Sequence, residues 1–280
     1  MAVSINDIKH KISATESMSK ITKAMQMVSV SKLGKIEERI AHFRDYLAQM
    51  QILLSGVKSS ESIFSDPLVS GPLSPKKRTG YILITTNRGL VGGYNNNLFK
   101  FLKQQLSGDY KLYVTGQKGA VLARSESLEF DEFRFSDEVR YRDILPLINK
   151  VISDYLSGEI NRVVVLHKDF ISKLVQEPRQ KVLLPLDVEN VEASAQGFLV
   201  TPDEYTVVDE ILEEYVKANL YEMYLNANMA EHAARMNAMQ NATDNADDII
   251  KDSKLIYNRV RQATITQELN EIIAGASAVD

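Results

Sequence analysis

The sequence predicts an α/β protein in which a Rossmann-like α/β domain stands between two long terminal helices that pair as an antiparallel coiled coil. Three observations carry that reading. Helix breakers are confined to the middle of the chain: of the 13 glycines only Gly34 falls within residues 1–55 and only Gly275 within 203–280, and all seven prolines lie from Pro67 to Pro202. A glycine in a helix interior costs roughly 1 kcal/mol and a proline about 3, so both ends read as uninterrupted helix. Apolar residues at both ends recur at alternating steps of three and four, the coiled-coil period. Between them, short apolar runs alternate with helical segments, as in a mostly parallel sheet covered on both faces.

In chain order, residues 1–57 form the first helix. Its stripe runs through Ile5, Ile8 and Ile12, then Met18, Ile21, Met25 and Val28, then Ile36, Ile40, Phe43, Leu47, Met50, Leu54 and Val57. Residues 58–77 are rich in Ser and Pro and read as an exposed connection. The α/β domain spans 78–202, with strands at Tyr81–Thr86, Lys111–Thr115, Arg162–His167 and Lys181–Pro185. Helices are expected at Asn96–Leu106, Lys118–Ser125 and Ile144–Ser157, and a second exposed connection at Glu189–Gly197. Residues 203–280 form the last helix. Its stripe starts at Val208, Ile211, Tyr215 and Ala218 and passes through Ala227, Ala230, Ala234 and Ala238, small residues suited to close helix packing. It ends through Ala246, Ile249, Ser253, Ile256, Val260, Ala263 and Gln267. At 1.5 Å rise per residue the two helices reach about 80 and 105 Å, too far for either to bury its stripe alone. An apolar tip, Ile272 to Val279, asks for a covering partner.

Charge is divided between the ends. Residues 1–55 carry eight basic and five acidic side chains, residues 203–280 six basic and 15 acidic. Opposite signs favour pairing of the two helices, although each exposed pair is worth only about 0–1 kcal/mol.

Composition excludes several chemistries. The 280-residue chain has no cysteine, which removes disulfide, thiolate-metal and thiol-catalytic readings and fits a reducing compartment. The four histidines, His10, His42, His167 and His232, stand apart without a metal-ligand spacing. Asp244, Asp247 and Asp248 fall on a helix, not in a calcium loop, and read as a solvated face. No apolar run is long enough to span a membrane and the N-terminus lacks a signal pattern, so a soluble chain starting near Met1 is expected. The glycine-rich stretch 85–95 follows a strand and precedes a helix, but the spacing of Gly89, Gly92 and Gly93 fits neither phosphate-binding fingerprint. It reads as a structural turn, with Arg88 free to meet an acidic partner. The remaining signal is a density of methionines, hydroxyls and isolated charges in Lys20–Lys32 and Tyr257–Leu269, which suggests an interaction face. On residues alone, a static scaffold and a nucleotide-dependent enzyme built around Gly89–Gly93 remain open.

Four stretches together resemble the gamma-subunit family of bacterial F-type ATP synthases: 265–278 (ITQELNEIIAGASA), 20–29 (KITKAMQMVS), 85–95 (TTNRGLVGGYN) and 242–246 (ATDNA). The resemblance runs from about Ser4 to Val279, without the cysteine-containing insert of the chloroplast type. It implies a central-stalk rotor that couples ion flow through a membrane sector to ATP synthesis or hydrolysis in a ring of alpha and beta subunits. It also implies attachment to the epsilon subunit and the membrane c-ring, peripheral placement on the cytoplasmic face of the bacterial plasma membrane, and no catalytic, metal or cofactor residue in this chain. By the same resemblance Lys20, Lys23, Met25, Arg235, Arg261, Gln262, Thr266 and Glu268 face the moving lever and catch loop of beta. Phe198, Thr201, Asp203 and Glu204 lie near the c-ring and epsilon, and the apolar tip 272–279 fits a collar formed by the ring.

Overall fold

The structure, a computed structural model, describes residues 4–57, 61–72, 76–188 and 203–277. Helix α1 runs without interruption over Ile5–Val57 and α7 over Glu204–Ser277, 53 and 74 residues. Between them come α2 (Glu61–Ser65), α3 (Pro67–Ser70), β1 (Thr79–Ile84), α4 (Tyr94–Gln105), β2 (Tyr110–Thr115), α5 (Gln117–Ser125), β3 (Asp131–Phe133), α6 (Tyr141–Leu156), β4 (Arg162–Phe170) and β5 (Gln176–Leu184). The chain forms two compact units, Met1–Val30 with Arg235–Asp280, and Ser31–Ala234. Each long helix contributes to both.

The larger unit holds a five-stranded sheet in the order β3-β2-β1-β4-β5. The first four strands are parallel and β5 returns antiparallel to β4. Alternation along the strands explains how both faces are covered. Tyr81, Leu83, Leu112, Val114, Val164 and Leu166 point to one face, where Leu98, Phe99 and Leu102 of α4 and Ala120 and Ala123 of α5 complete a core. Ile82, Ile84, Tyr113, Val163 and Val165 point to the other, against α6 and the inner residues of α1 and α7. All four expected strands and all three expected helices are present, but β5 begins at Gln176, five residues before the expected Lys181, because its first half is an exposed antiparallel extension that carries no apolar run. Strand β3 was not expected. Only three residues long and half-buried, it carries too little hydrophobic pattern to announce itself.

The connection 58–77 differs from the expected exposed loop. Within it α2 and α3 form two short helices whose Ile63 and Leu68 are fully covered. Asp66 caps α3 by accepting the Leu68 N–H at 2.8 Å, and the Leu68 carbonyl accepts the Leu186 N–H at 2.7 Å. The Ser/Pro composition hid two apolar anchors set at turn-like spacing. The second expected connection, Glu189–Gly197, lies outside the described residues.

Within this unit α1 and α7 run antiparallel: Arg44 Nε is 3.6 Å from Glu222, and Tyr46 donates to Glu214 at 3.0 Å. On α1 the covered positions are Leu33, Ile36, Ile40, Phe43, Leu47, Met50, Leu54 and Val57, alternating three and four. Phe43, Tyr141 and Tyr221 add edge-on ring contacts, with centroids 4.8 Å apart for Phe43–Tyr221 and 5.4 Å for Tyr141–Tyr221.

Under β2 a buried carboxylate ties the sheet to α6. Asp154 accepts from Tyr113 at 2.7 Å and from Lys150 at 2.8 Å, and lies 2.9 Å from Lys111. Burial pushes the Asp154 carboxyl up, but hydrogen bonds from Lys150, Tyr113 and Lys111 outweigh it and hold the group at about 2. The folded value is below the ordinary carboxylate value, so this stabilisation is fully present above about pH 4 and is lost as pH falls towards 2. Replacing Asp154 by Asn leaves Lys111 and Lys150 without that anion. The variant is expected to lose about 3 kcal/mol in urea unfolding at pH 7 and to lack that part of the acid sensitivity.

Candidate interaction surface of the paired helices

In the smaller unit the two helices again run antiparallel. Ser19 donates to Asp247 at 2.9 Å, the Thr22 and Thr243 hydroxyls are 2.7 Å apart, Gln26 donates to Gln240, and Glu16 pairs with Lys254 at 2.9 Å. The inner positions of α1 are Ile8, Ile12, Thr15, Ser19, Thr22, Gln26 and Ser29, and those of α7 are Met239, Thr243, Ala246, Ile250, Ser253, Tyr257, Val260 and Thr264. Both sets alternate three and four without a break.

This corrects the expected stripe over residues 15–29. Met18, Ile21 and Val28, placed inside by hydrophobicity, are each 57% exposed, and Met25 is half-buried. The helix turns small polar side chains inward instead. Their hydroxyls are satisfied on their own backbone: Ser29 donates to the Met25 carbonyl at 2.9 Å and Thr243 to the Met239 carbonyl at 2.9 Å, which lowers the cost of burying them. Small side chains also let the helices approach closely. On α7 Ala246, Ser253 and Val260 are inside as expected, whereas Ile249 and Ile256 are exposed and Ile250 and Tyr257 take the inner places. Two stripes offset by one residue exist in this stretch, and hydrophobicity alone selects the outer one.

Charge pairing is also not what the opposite net charges suggest. Among the described residues Lys9, Lys11, Lys20 and Lys23 form no ion pair, and the ion pair between helices in this unit joins Lys254 of the acidic helix to Glu16 of the basic one. Asp248 pairs with Lys251 of its own helix at 3.0 Å, and Asp244 accepts from Gln240 at 2.8 Å. The two helices thus present outer faces of opposite sign.

The residues expected to face a partner fall into separate groups. Lys20 and Lys23 are exposed, and Lys23 borders a shallow groove with Gln26, Met27, Val30, Gln240 and Asp244. Arg261, Gln262, Thr266 and Glu268 are all exposed, and Thr266 donates to the Gln262 carbonyl at 2.9 Å. Since Ser19 opposes Asp247, Arg261 lies 14 residues further along α7, about 20 Å from the first group. Arg235 is buried on α7 and engaged within the chain. Asp203 is exposed and accepts both the N–H and the hydroxyl of Thr206 at 2.9 Å, and Glu204 opens α7. Phe198 and Thr201 lie outside the described residues. Sequence reading missed that Met18, Ile21 and Val28 belong to the outer surface, beside the exposed Met27 of the expected interaction face; their offset from the hydroxyl series was the available signal. At the C-terminal end Ile265, Leu269, Ile272 and Ile273 are also exposed.

The glycine-rich turn is tied up internally. The Thr86 N–H donates to Asn95 at 3.2 Å, Asn95 returns a bond to the Thr86 hydroxyl at 2.8 Å, and Asn87 donates to the Phe135 carbonyl at 2.9 Å. Gly92 takes φ +57°, and Arg88 meets the acidic Asp137 at 2.9 Å. Among the described residues no group of His, Cys, Asp or Glu could hold a metal ion, and no helix is long and apolar enough to cross a membrane.

The hydroxyl pair at the seam gives a direct test. Because each hydroxyl also has a carbonyl of its own helix to donate to, Thr22→Val and Thr243→Val are each expected to cost no more than about 1 kcal/mol in urea unfolding, and the two changes to add within about 0.5 kcal/mol. A double-mutant cycle measures the departure from additivity.

A family model described as ATP synthase matches residues 4–279. The ATP synthase gamma chain of Exiguobacterium sp. is 36% identical over 285 residues, covering 99% of both chains. That of Lactococcus lactis subsp. cremoris is 35% identical over 293 residues, covering 100% of both. Among solved structures, a rotor chain of Euglena gracilis mitochondrial ATP synthase aligns with TM-score 0.68 at 17% identity, over 93% of this chain and 98% of that one. A central-stalk/c-ring structure from Tetrahymena thermophila aligns with TM-score 0.59 at 22% identity, over 79% and 99%. The antiparallel pairing of two unbroken terminal helices around a five-stranded α/β body is therefore the fold of a known group, and at this identity over its full length the chain belongs to the ATP synthase gamma-chain family.

Proposed function

We propose that the chain works as the rotor of an ATP synthase, its paired helices turning inside a ring of alpha and beta subunits and its α/β body attached to a membrane c-ring and an epsilon subunit. As a gamma chain it is a central-stalk subunit without a catalytic centre of its own. The observation that supports this reading best is the inversion of the coil in the smaller unit. Polar residues face inward, while Met18, Ile21, Val28, Ile249 and Ile256 face outward on helices long enough to span a surrounding assembly. An isolated coiled coil gains nothing by exposing such residues, so the arrangement suits a shaft surrounded by other chains.

On this reading Lys20, Lys23, Met25, Arg261, Gln262, Thr266 and Glu268 meet the beta lever and catch loop, whereas Arg235, expected among them, is buried on α7 and offers no such exposed contact. Single polar contacts of about 1 kcal/mol, or 1.5–3 kcal/mol with a charge, bias a neighbour's conformation yet break at every step. Phe198, Thr201, Asp203 and Glu204 are assigned to the c-ring and epsilon side. The divisions 1–57, 58–77, 78–202 and 203–280 then separate shaft, connection, attachment body and shaft. Ion transport and a peripheral position on the cytoplasmic face of the bacterial membrane follow from the same assignment.

The absence of cysteine makes the test clean. Val121→Cys, on the exposed side of α5, gives this chain a single thiol, which is labelled with a fluorophore before assembly with unlabelled partners. Stepwise reorientation of the label on adding ATP is expected with the ring immobilised; a label that stays fixed while ATP is hydrolysed overturns the rotor reading in favour of a static scaffold.

A further inference from the structure

In the larger unit two adjacent residues of α7 are gripped by different parts of the α/β body. Asn226 Oδ1 accepts the backbone N–H of Phe170, the last residue of β4, at 2.9 Å, and its Nδ2 donates to Asp169 Oδ1 at 2.7 Å. The other oxygen of Asp169 is 3.2 Å from Arg179 Nε on β5, so the amide is held against the free end of the β4–β5 hairpin. The next carbonyl, Ala227 O, accepts the hydroxyl of Tyr94 at 3.1 Å. Tyr94 is the buried first residue of α4, directly after the glycine-rich turn. One turn further on, Ala230 has no exposed surface and packs with Val91 and Tyr94. The small residue at 230 lets the turn reach the helix.

These contacts differ in kind from the core around them. Apolar burial scales with area and has no preferred direction, whereas a hydrogen bond weakens steeply once its angle fails. Rotating a helix about its axis by about 30° moves a backbone carbonyl by about 1 Å and an asparagine amide by about 3 Å, enough to break the amide bonds. Two grips on consecutive residues, one from β4 and one from α4, oppose rotation in both senses.

We propose that Asn226, backed by Asp169 and Arg179 and assisted by Tyr94, is the torsional clamp that fixes the rotational setting of α7 against the α/β body. These are positioning residues: they keep a twist applied to the body from being lost as slippage of the helix. The inference rests on the rotor reading and names where, within the chain, torque passes from sheet to helix.

The test uses the whole complex reconstituted in sealed vesicles, measuring ATP hydrolysis and ATP-driven ion uptake together. In Asn226→Leu with Tyr94→Phe, hydrolysis is expected to stay within about twofold of the parent while ions moved per ATP against an imposed gradient fall at least threefold. Tyr94→Phe alone removes one oxygen atom and is expected to give a smaller fall in the same ratio. Asn226→Asp sets two carboxylates face to face and should uncouple. Adding Asp169→Asn restores the bond with its direction reversed and should recover at least half of the ratio. An unchanged ratio in Tyr94→Phe and in whichever Asn226 variants assemble, or a swapped pair no better than Asn226→Asp, overturns the clamp. A parent complex that hydrolyses ATP but neither turns nor pumps overturns the rotor reading instead, so the two failures are distinct.

Discussion

A helix of 53 residues and one of 74 cannot each hide an apolar stripe, and the rest of the molecule follows from their pairing. What the seam contains changes along its length. In the larger unit it is built from Leu47, Leu54, Leu212, Val216 and Leu220 with the rings of Phe43, Tyr141 and Tyr221, each fully buried side chain contributing about 1.5–3 kcal/mol. In the smaller unit Thr22, Ser29, Thr243 and Ser253 share the seam with Ile8, Met239 and Ala246, so less of it is apolar and a net hydrogen bond contributes about 0.5–1.5 kcal/mol. The same two helices are anchored firmly in one unit and joined more lightly in the other.

The lighter seam has a use. A polar inner seam leaves the apolar residues of α1 and α7 available outside, and charge follows the same logic. Lysines of α1 and aspartates of α7 do not consume one another, so each helix keeps its own sign on its outer face. At physiological ionic strength exposed charges are screened beyond about 8 Å, so these faces act on a neighbour only at contact. On the rotor reading, a shaft with chemically identical neighbours gains from such sidedness.

Much of this was legible in the sequence. Confinement of Gly and Pro to the middle marked both long helices, because their backbone cost is local and additive. The strands of the sheet were legible because burial on both faces makes their apolar runs continuous, as in Arg162–His167. The inner stripe over residues 15–29 was not, since a hydrophobicity count cannot see that Ser29 and Thr243 satisfy their hydroxyls on the preceding turn. Helices α2 and α3 were missed because Ile63 and Leu68 sit among serines and prolines and gain their burial from residues far away in the chain. Asn226 and Tyr94 could not be found at all. Their roles arise from contacts across 56 and 133 positions, and neither belongs to a motif.

These long-range contacts fall at the rim where a doubly wound sheet usually meets its ligands. In a doubly wound sheet the carboxyl ends of the strands, at the point where strand order reverses, are where ligands usually sit. Here β1 stands at that reversal between β2 and β4, and the turn after it is bonded to Asn95 and Phe135 and followed by Tyr94, whose hydroxyl reaches α7. The last residue of β4, Phe170, meets α7 through Asn226. The edge that would hold a ligand holds a helix instead. A rigid sheet with its functional rim turned onto α7 makes a lever arm, and for a subunit that does no chemistry, stiffness at that rim is the property the fold supplies.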